Sequence, residues 1–95
     1  MTLAAPLDIV LFELPSRFWA ERLLQRVHDT RLAWLEPGED TSVVGVFLQA
    51  DSADFARLLR QVQEWVGRAG LVAIRFEVDG RTYVLDRSEE LLLTG

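Results

Sequence analysis

Residues 51–86 read DSADFARLLRQVQEWVGRAGLVAIRFEVDGRTYVLD, and this stretch decides the fold. Phe55, Leu58, Leu59, Val62, Val66 and Ala69 recur at steps of three and four, which places them on one stripe of a helix. Arg57, Arg60, Gln61, Gln63, Glu64 and Arg68 fall outside that stripe. Asp51 or Ser52 stands at the N-cap position and Gly70 supplies the C′ stop. Two alternating runs come next, Ala73 to Val78 and Arg81 to Asp86, joined by Asp79-Gly80. Asp-Gly favours a type I′ turn, in which both central residues take positive φ. That turn sets the register: Val78 pairs with Arg81, Phe76 with Tyr83 and Ile74 with Leu85 on one face. Arg75, Glu77, Thr82 and Val84 go to the other.

Outward from this unit, Leu7 to Leu14 predicts a strand that is apolar on both faces for most of its length, the signature of a central strand. Pro15 ends it and Ser16 caps a helix from Arg17 to about His28, with Trp19, Ala20, Leu23, Leu24 and Val27 on its apolar stripe. Arg31 to Glu36 is a short strand closed by the turn-rich Pro37-Gly38-Glu39-Asp40. Thr41 to Gln49 is a second doubly apolar strand. The order β-α-β-β-α-β-β is the α+β, ferredoxin-like split βαβ plan with one added C-terminal hairpin strand. In that plan the first and third strands are central, and those are the two made apolar on both faces. Two helices should cover one face of the antiparallel sheet and bury Val10, Phe12, Leu14, Val44, Val46, Leu48, Ile74, Phe76 and Tyr83. The 95 residues make a single domain with a short tail, residues 88–95.

An apolar fraction of 49% with 26% charged residues is that of an ordinary globular protein. The absence of cysteine excludes disulfides, thiol nucleophiles and thiolate metal sites. Met1 to Ala5 is too short and lacks the positive charge of a signal peptide, and the apolar runs are too short for a membrane span. A cytoplasmic protein is expected. The net charge of −5 opposes nucleic-acid binding, which depends on phosphate neutralisation. All the basic residues are arginine, suited to bidentate pairing with carboxylates; a GC-rich genome is the plainer cause.

No constellation carries chemistry. Ser16 or Ser52, His28 and an aspartate could be assembled into a triad in any chain of this size, and no Gly-x-Ser-x-Gly elbow exists. A lone histidine at a helix end is a solvated residue favoured by the helix dipole. Glu36, Glu39 and Asp40 read first as a solvated acidic turn and second as a weak calcium site. Gly67, Gly70 and Gly80 are too dispersed for a phosphate loop. No catalytic, cofactor or metal residue is expected, and no small-molecule ligand. The outward positions of an RNA-recognition sheet hold Ile9, Leu11, Val43 and Phe47 here, one aromatic without basic neighbours.

With helices on one side only, the other sheet face carries Ile9, Leu11, Val43, Phe47 and Val84, with part of the Trp34 strand. Such a face marks a contact surface unless the tail, through Leu91, Leu92 and Leu93, folds over it. The expected interface is those eight residues, and the expected partner a second protein or a second copy of this chain. Trp19, Trp34 and Trp65 read as packing residues or as partner anchors.

The run Leu58 to Val66 followed by Ile74 to Leu85, with its Asp79-Gly80-Arg81 turn, resembles the effector-associated constant component family of bacteria. There too a leucine- and tryptophan-bearing helix leads into a hairpin closed by Asp-Gly-Arg. The family has a glycine-rich lead into that helix, where this chain has Ala50-Asp51-Ser52-Ala53. The resemblance implies a small non-catalytic module that accompanies effectors such as peptidases in conflict or immune systems, and it carries over no functional residue. Two alternatives come from other classes. One is a dimeric α+β-barrel enzyme similar to cofactor-independent monooxygenases, with Trp19, His28 and Trp65 lining a cavity. The other is an amino-acid-sensing regulatory domain, which would need a glycine-rich loop after the first strand that this chain lacks.

Overall fold

The computed structural model describes residues 9–49 and 52–86. Its elements are β1 (Ile9–Leu14), α1 (Arg17–His28), β2 (Ala33–Pro37), β3 (Ser42–Phe47), α2 (Ser52–Ala69), β4 (Ala73–Val78) and β5 (Arg81–Asp86). The strands form one antiparallel sheet in the order β2-β3-β1-β4-β5, with both helices packed on one face. This is the expected ferredoxin-like arrangement, and the doubly apolar β1 and β3 lie inside the sheet. No helix among the described residues is long and apolar enough to cross a membrane.

Local chemistry accounts for the boundaries. Ser16 has extended backbone, φ −158°, and its Oγ accepts the Trp19 N–H at 3.4 Å, which satisfies one orphan donor at the start of α1. At the end of α2, Gly70 takes φ +82°, the Leu71 N–H reaches the Val66 carbonyl and the Gly70 N–H the Gly67 carbonyl. That pair of bonds is a Schellman motif, open here because glycine has no Cβ to oppose the positive φ. Asp79 and Gly80 both have positive φ, 56° and 75°, as a type I′ turn demands. The β4–β5 register is the one the turn predicts: Phe76 opposite Tyr83 and Ile74 opposite Leu85. The N-cap assigned to Asp51 or Ser52 lies outside the described residues and side chains.

The core sits between the sheet and the helices. Val10, Phe12, Leu14, Val44, Val46, Ile74, Phe76, Val78 and Leu85 from the strands meet Ala20, Leu23 and Val27 of α1 and Leu58, Val62 and Val66 of α2. Each large apolar side chain buried this way contributes about 1.5–3 kcal/mol. Two residues expected in this core are not in it. Tyr83 is 43% exposed. A helix is about 10 Å across and strands are about 4.8 Å apart, so two helices cover about four strands and the fifth overhangs them. Leu48 is half-buried because it lies past the end of β3.

β2 starts later than the pattern suggests. The Arg31 N–H still bonds the Val27 carbonyl of α1, and the Arg31 side chain turns away to α2. Strand pairing therefore begins at Ala33.

Candidate interaction surface

Strand alternation sorts the side chains that face away from the helices. β3 contributes Val43, Gly45 and Phe47, and β1 contributes Ile9, Leu11 and Glu13 in register with them. β2 adds Trp34 and Glu36, β4 adds Ala73, Arg75 and Glu77, and β5 adds Thr82, Val84 and Asp86. Ile9, Phe47 and Val84 are exposed, while Leu11 and Val43 are half-buried. All five expected residues therefore lie on the open face.

Ile9, Leu11, Val43 and Phe47 form a connected group on β1 and β3. Val84 stands apart, since its β4 neighbour on this face is Arg75. The apolar patch is thus confined to the β2–β3–β1 side, and β4 interrupts it with Arg75 and Glu77. Leu91, Leu92 and Leu93 lie outside the described residues.

The centre of the patch is not legible in the sequence. Trp34 stands opposite Gly45 in the β2–β3 register, and its indole lies flat over the glycine. A Cβ at residue 45 would come within 2.2 Å of the ring. Glycine in a strand leaves a trough, and a cross-strand aromatic fills it. The indole ring also meets Phe47, with centroids 5.1 Å apart, and its Nε1–H donates to Glu36 Oε2 at 3.2 Å. The sequence signal is Trp34 and Gly45 on neighbouring strands of a hairpin. It becomes readable only once the register is known.

The remainder of the face is polar. Glu13 approaches Arg75 at 4.0 Å and accepts from Thr41 Oγ1 at 3.3 Å. Leu11, Glu13, Val43, Arg75, Glu77 and Thr82 line a shallow concavity of about 270 Å³. Among the described residues, Glu13, Glu36, Glu77 and Asp86 place four carboxylates on this face against the single guanidinium of Arg75. That acidic balance repels a phosphate backbone. The two aromatics sit on β2 and β3 instead of β1 and β3.

The other candidate groups do not converge. Ser16 caps the start of α1 and His28 sits exposed in its last turn, about 18 Å away along the helix. Ser52's side chain lies outside the described set. Glu36, Glu39 and Asp40 are all exposed, and among the described residues no three histidine or acidic side chains gather as a metal site. Trp19 and Trp65 meet edge to face between the helices at 6.1 Å, half-buried, where they pack against the core. His28 lies at the other end of α1, about 14 Å from Trp19 along the helix.

One buried polar group escapes the sequence reading altogether. Asp54, in the first turn of α2, is only 3% exposed. Its Oδ2 accepts from Arg31 Nη1 at 2.6 Å and from the Gln49 N–H at 3.0 Å, while Arg57 lies 3.5 Å from Oδ1. The Arg31 hydrogen bond is the largest influence. With the Gln49 bond and the nearby guanidinium charges it outweighs burial and lowers the carboxyl to about 2. Arg31 is nearly buried too, so this pair ties the α1–β2 loop to the start of α2. It is a structural clasp between the α1–β2 loop, the end of the β3 segment and α2.

Compared with family models, curated proteins and solved structures, the chain finds no significant match to any of them.

Proposed function

We propose that this chain is a non-catalytic protein-interaction module that binds a protein partner through its open sheet face. The observation that carries the reading is the indole of Trp34 laid over Gly45 beside exposed Phe47, with Ile9, Leu11 and Val43 continuing the apolar surface. A rigid aromatic platform with a polar, charged rim is the composition of a protein-binding patch. A different protein fits this face better than a second copy. Among the described residues, face-to-face self-association would bring four carboxylates of each copy together against one arginine each. The favoured partner presents apolar groups flanked by basic ones. An effector-associated, bacterial setting rests on the likeness of the α2–β4–β5 stretch to the effector-associated constant component family, and a cytoplasmic one on the sequence expectation alone.

The test is Phe47→Asp in the full chain. The wild type should run as a monomer by light scattering across concentrations. It should retain a protein from the lysate of its own source cells that Phe47→Asp loses, with circular dichroism unchanged. A wild-type dimer split by Phe47→Asp would assign the face to self-association instead. If folding, mass and retained proteins are all identical in the two, the interaction reading is wrong.

A further inference from the structure

We infer that the groove between α2 and the β4–β5 hairpin is the docking site of this chain's own C-terminal segment, residues 88–95. The groove exists because β5 overhangs the helix layer. Phe55 and Leu59 on the flank of α2 face Phe76, Val78 and Tyr83 across a depression of about 530 Å³, with Asp79 and Arg81 at its rim. Phe55 and Leu59 are only half-buried, and the Tyr83 ring, stacked on Phe76, is open to water on its other side. A further apolar element laid alongside α2 would complete the layer.

The chain supplies such an element at the right place. Gln63 Nε2 donates to the Asp86 carbonyl at 3.0 Å, so β5 ends held against α2, on the helix side of the sheet. From there the chain continues as Arg87-Ser88-Glu89-Glu90-Leu91-Leu92-Leu93. Tyr83 lies about 10 Å back along β5 from Asp86. Seven residues span about 10 Å as a helix and more when extended, so Leu91 to Leu93 reach the groove either way. Glu89 and Glu90 supply carboxylates for Arg81, which stands beside Asp79 at the rim. The open face is the poorer berth. Its apolar patch begins two strands from β5, with Arg75 and Glu77 in between. The inference is independent of the partner reading, since the groove and the open face are on opposite sides of the sheet.

The absence of native cysteine allows a direct test. Full-length Leu59→Cys/Leu92→Cys is oxidised with oxidised glutathione at low protein concentration, beside Val84→Cys/Leu92→Cys, which places the first thiol on the open face. Docking predicts an intramolecular disulfide that forms about tenfold faster in the first pair, because a docked segment raises the effective thiol concentration. Equal rates, or a faster second pair, overturn the inference. A disulfide-linked dimer from the first pair also overturns it, in favour of a segment exchanged between copies. Should Leu59→Cys lower the melting temperature, Tyr83→Cys takes its place at the same groove.

Discussion

Asp54 shows how much a single side chain can hold. Its carboxylate ties α2 to the α1–β2 loop, 23 residues back, through Arg31 and to the end of the adjacent β3 segment through Gln49. Replacing it with alanine leaves the nearly buried Arg31 without its partner, which should destabilise the fold by about 3 kcal/mol. The pH dependence has a definite sign. The folded carboxyl titrates near 2 and the unfolded one near 3.8. Its contribution, about 2 kcal/mol, is therefore complete above about pH 4 and lost as the pH falls toward 2. Urea unfolding between pH 2 and 6 should show this loss in the wild type and a flatter profile in Asp54→Asn. Gly45 is the second decisive residue. In Gly45→Ala the new methyl occupies the space of the Trp34 ring, which must swing off the sheet. The ring is the free end of a side chain on an edge strand, so stability should fall by only about 1 kcal/mol. Tryptophan emission should shift to the red and partner binding should weaken. Unchanged emission would show that the indole does not rest on residue 45.

Among the elements, the β4–β5 hairpin is specified most strongly by local chemistry. Asp79-Gly80 sets the turn, the turn sets the register, and the register sends Ile74, Phe76, Val78 and Leu85 inward. Gly80→Val puts a β-branched residue at φ +75° and should cost about 1–2 kcal/mol, read as a lowered urea midpoint with unchanged m-value. Asp79→Asn keeps a residue tolerant of positive φ and should leave the midpoint nearly unchanged. The two edges of the sheet differ. β2 ends at Pro37, which removes a donor and blunts pairing, whereas β5 carries no proline or bulge and exposes Val84 at 64%.

For the whole molecule, the consequence of five strands and two helices is an uneven coverage of the sheet. Among the described residues, one face is packed except under β5, and the other is uncovered and divided into an aromatic–aliphatic side and an acidic one. The light-scattering prediction belongs at this scale, because only the summed charge of the face argues against self-pairing. A monomeric wild type whose Phe47→Asp variant folds alike and loses a retained protein is the expected pattern. A reversible dimer that tightens with salt would show apolar burial overriding carboxylate repulsion.

The amino-acid sequence alone determined the order of elements, both helix stripes, the turn and register of the hairpin, and the central places of β1 and β3. All of these arise from interactions within a few residues or from the periods of 2 and 3.6, which can be read from one strand of text. That Trp34 covers Gly45, that Arg31 finds Asp54 and that Tyr83 overhangs the helix layer emerge only in the folded chain. Each of these depends on which distant residues the register and the packing bring side by side. Pairing across strands and layer width are properties of the assembled sheet, and no local pattern encodes them.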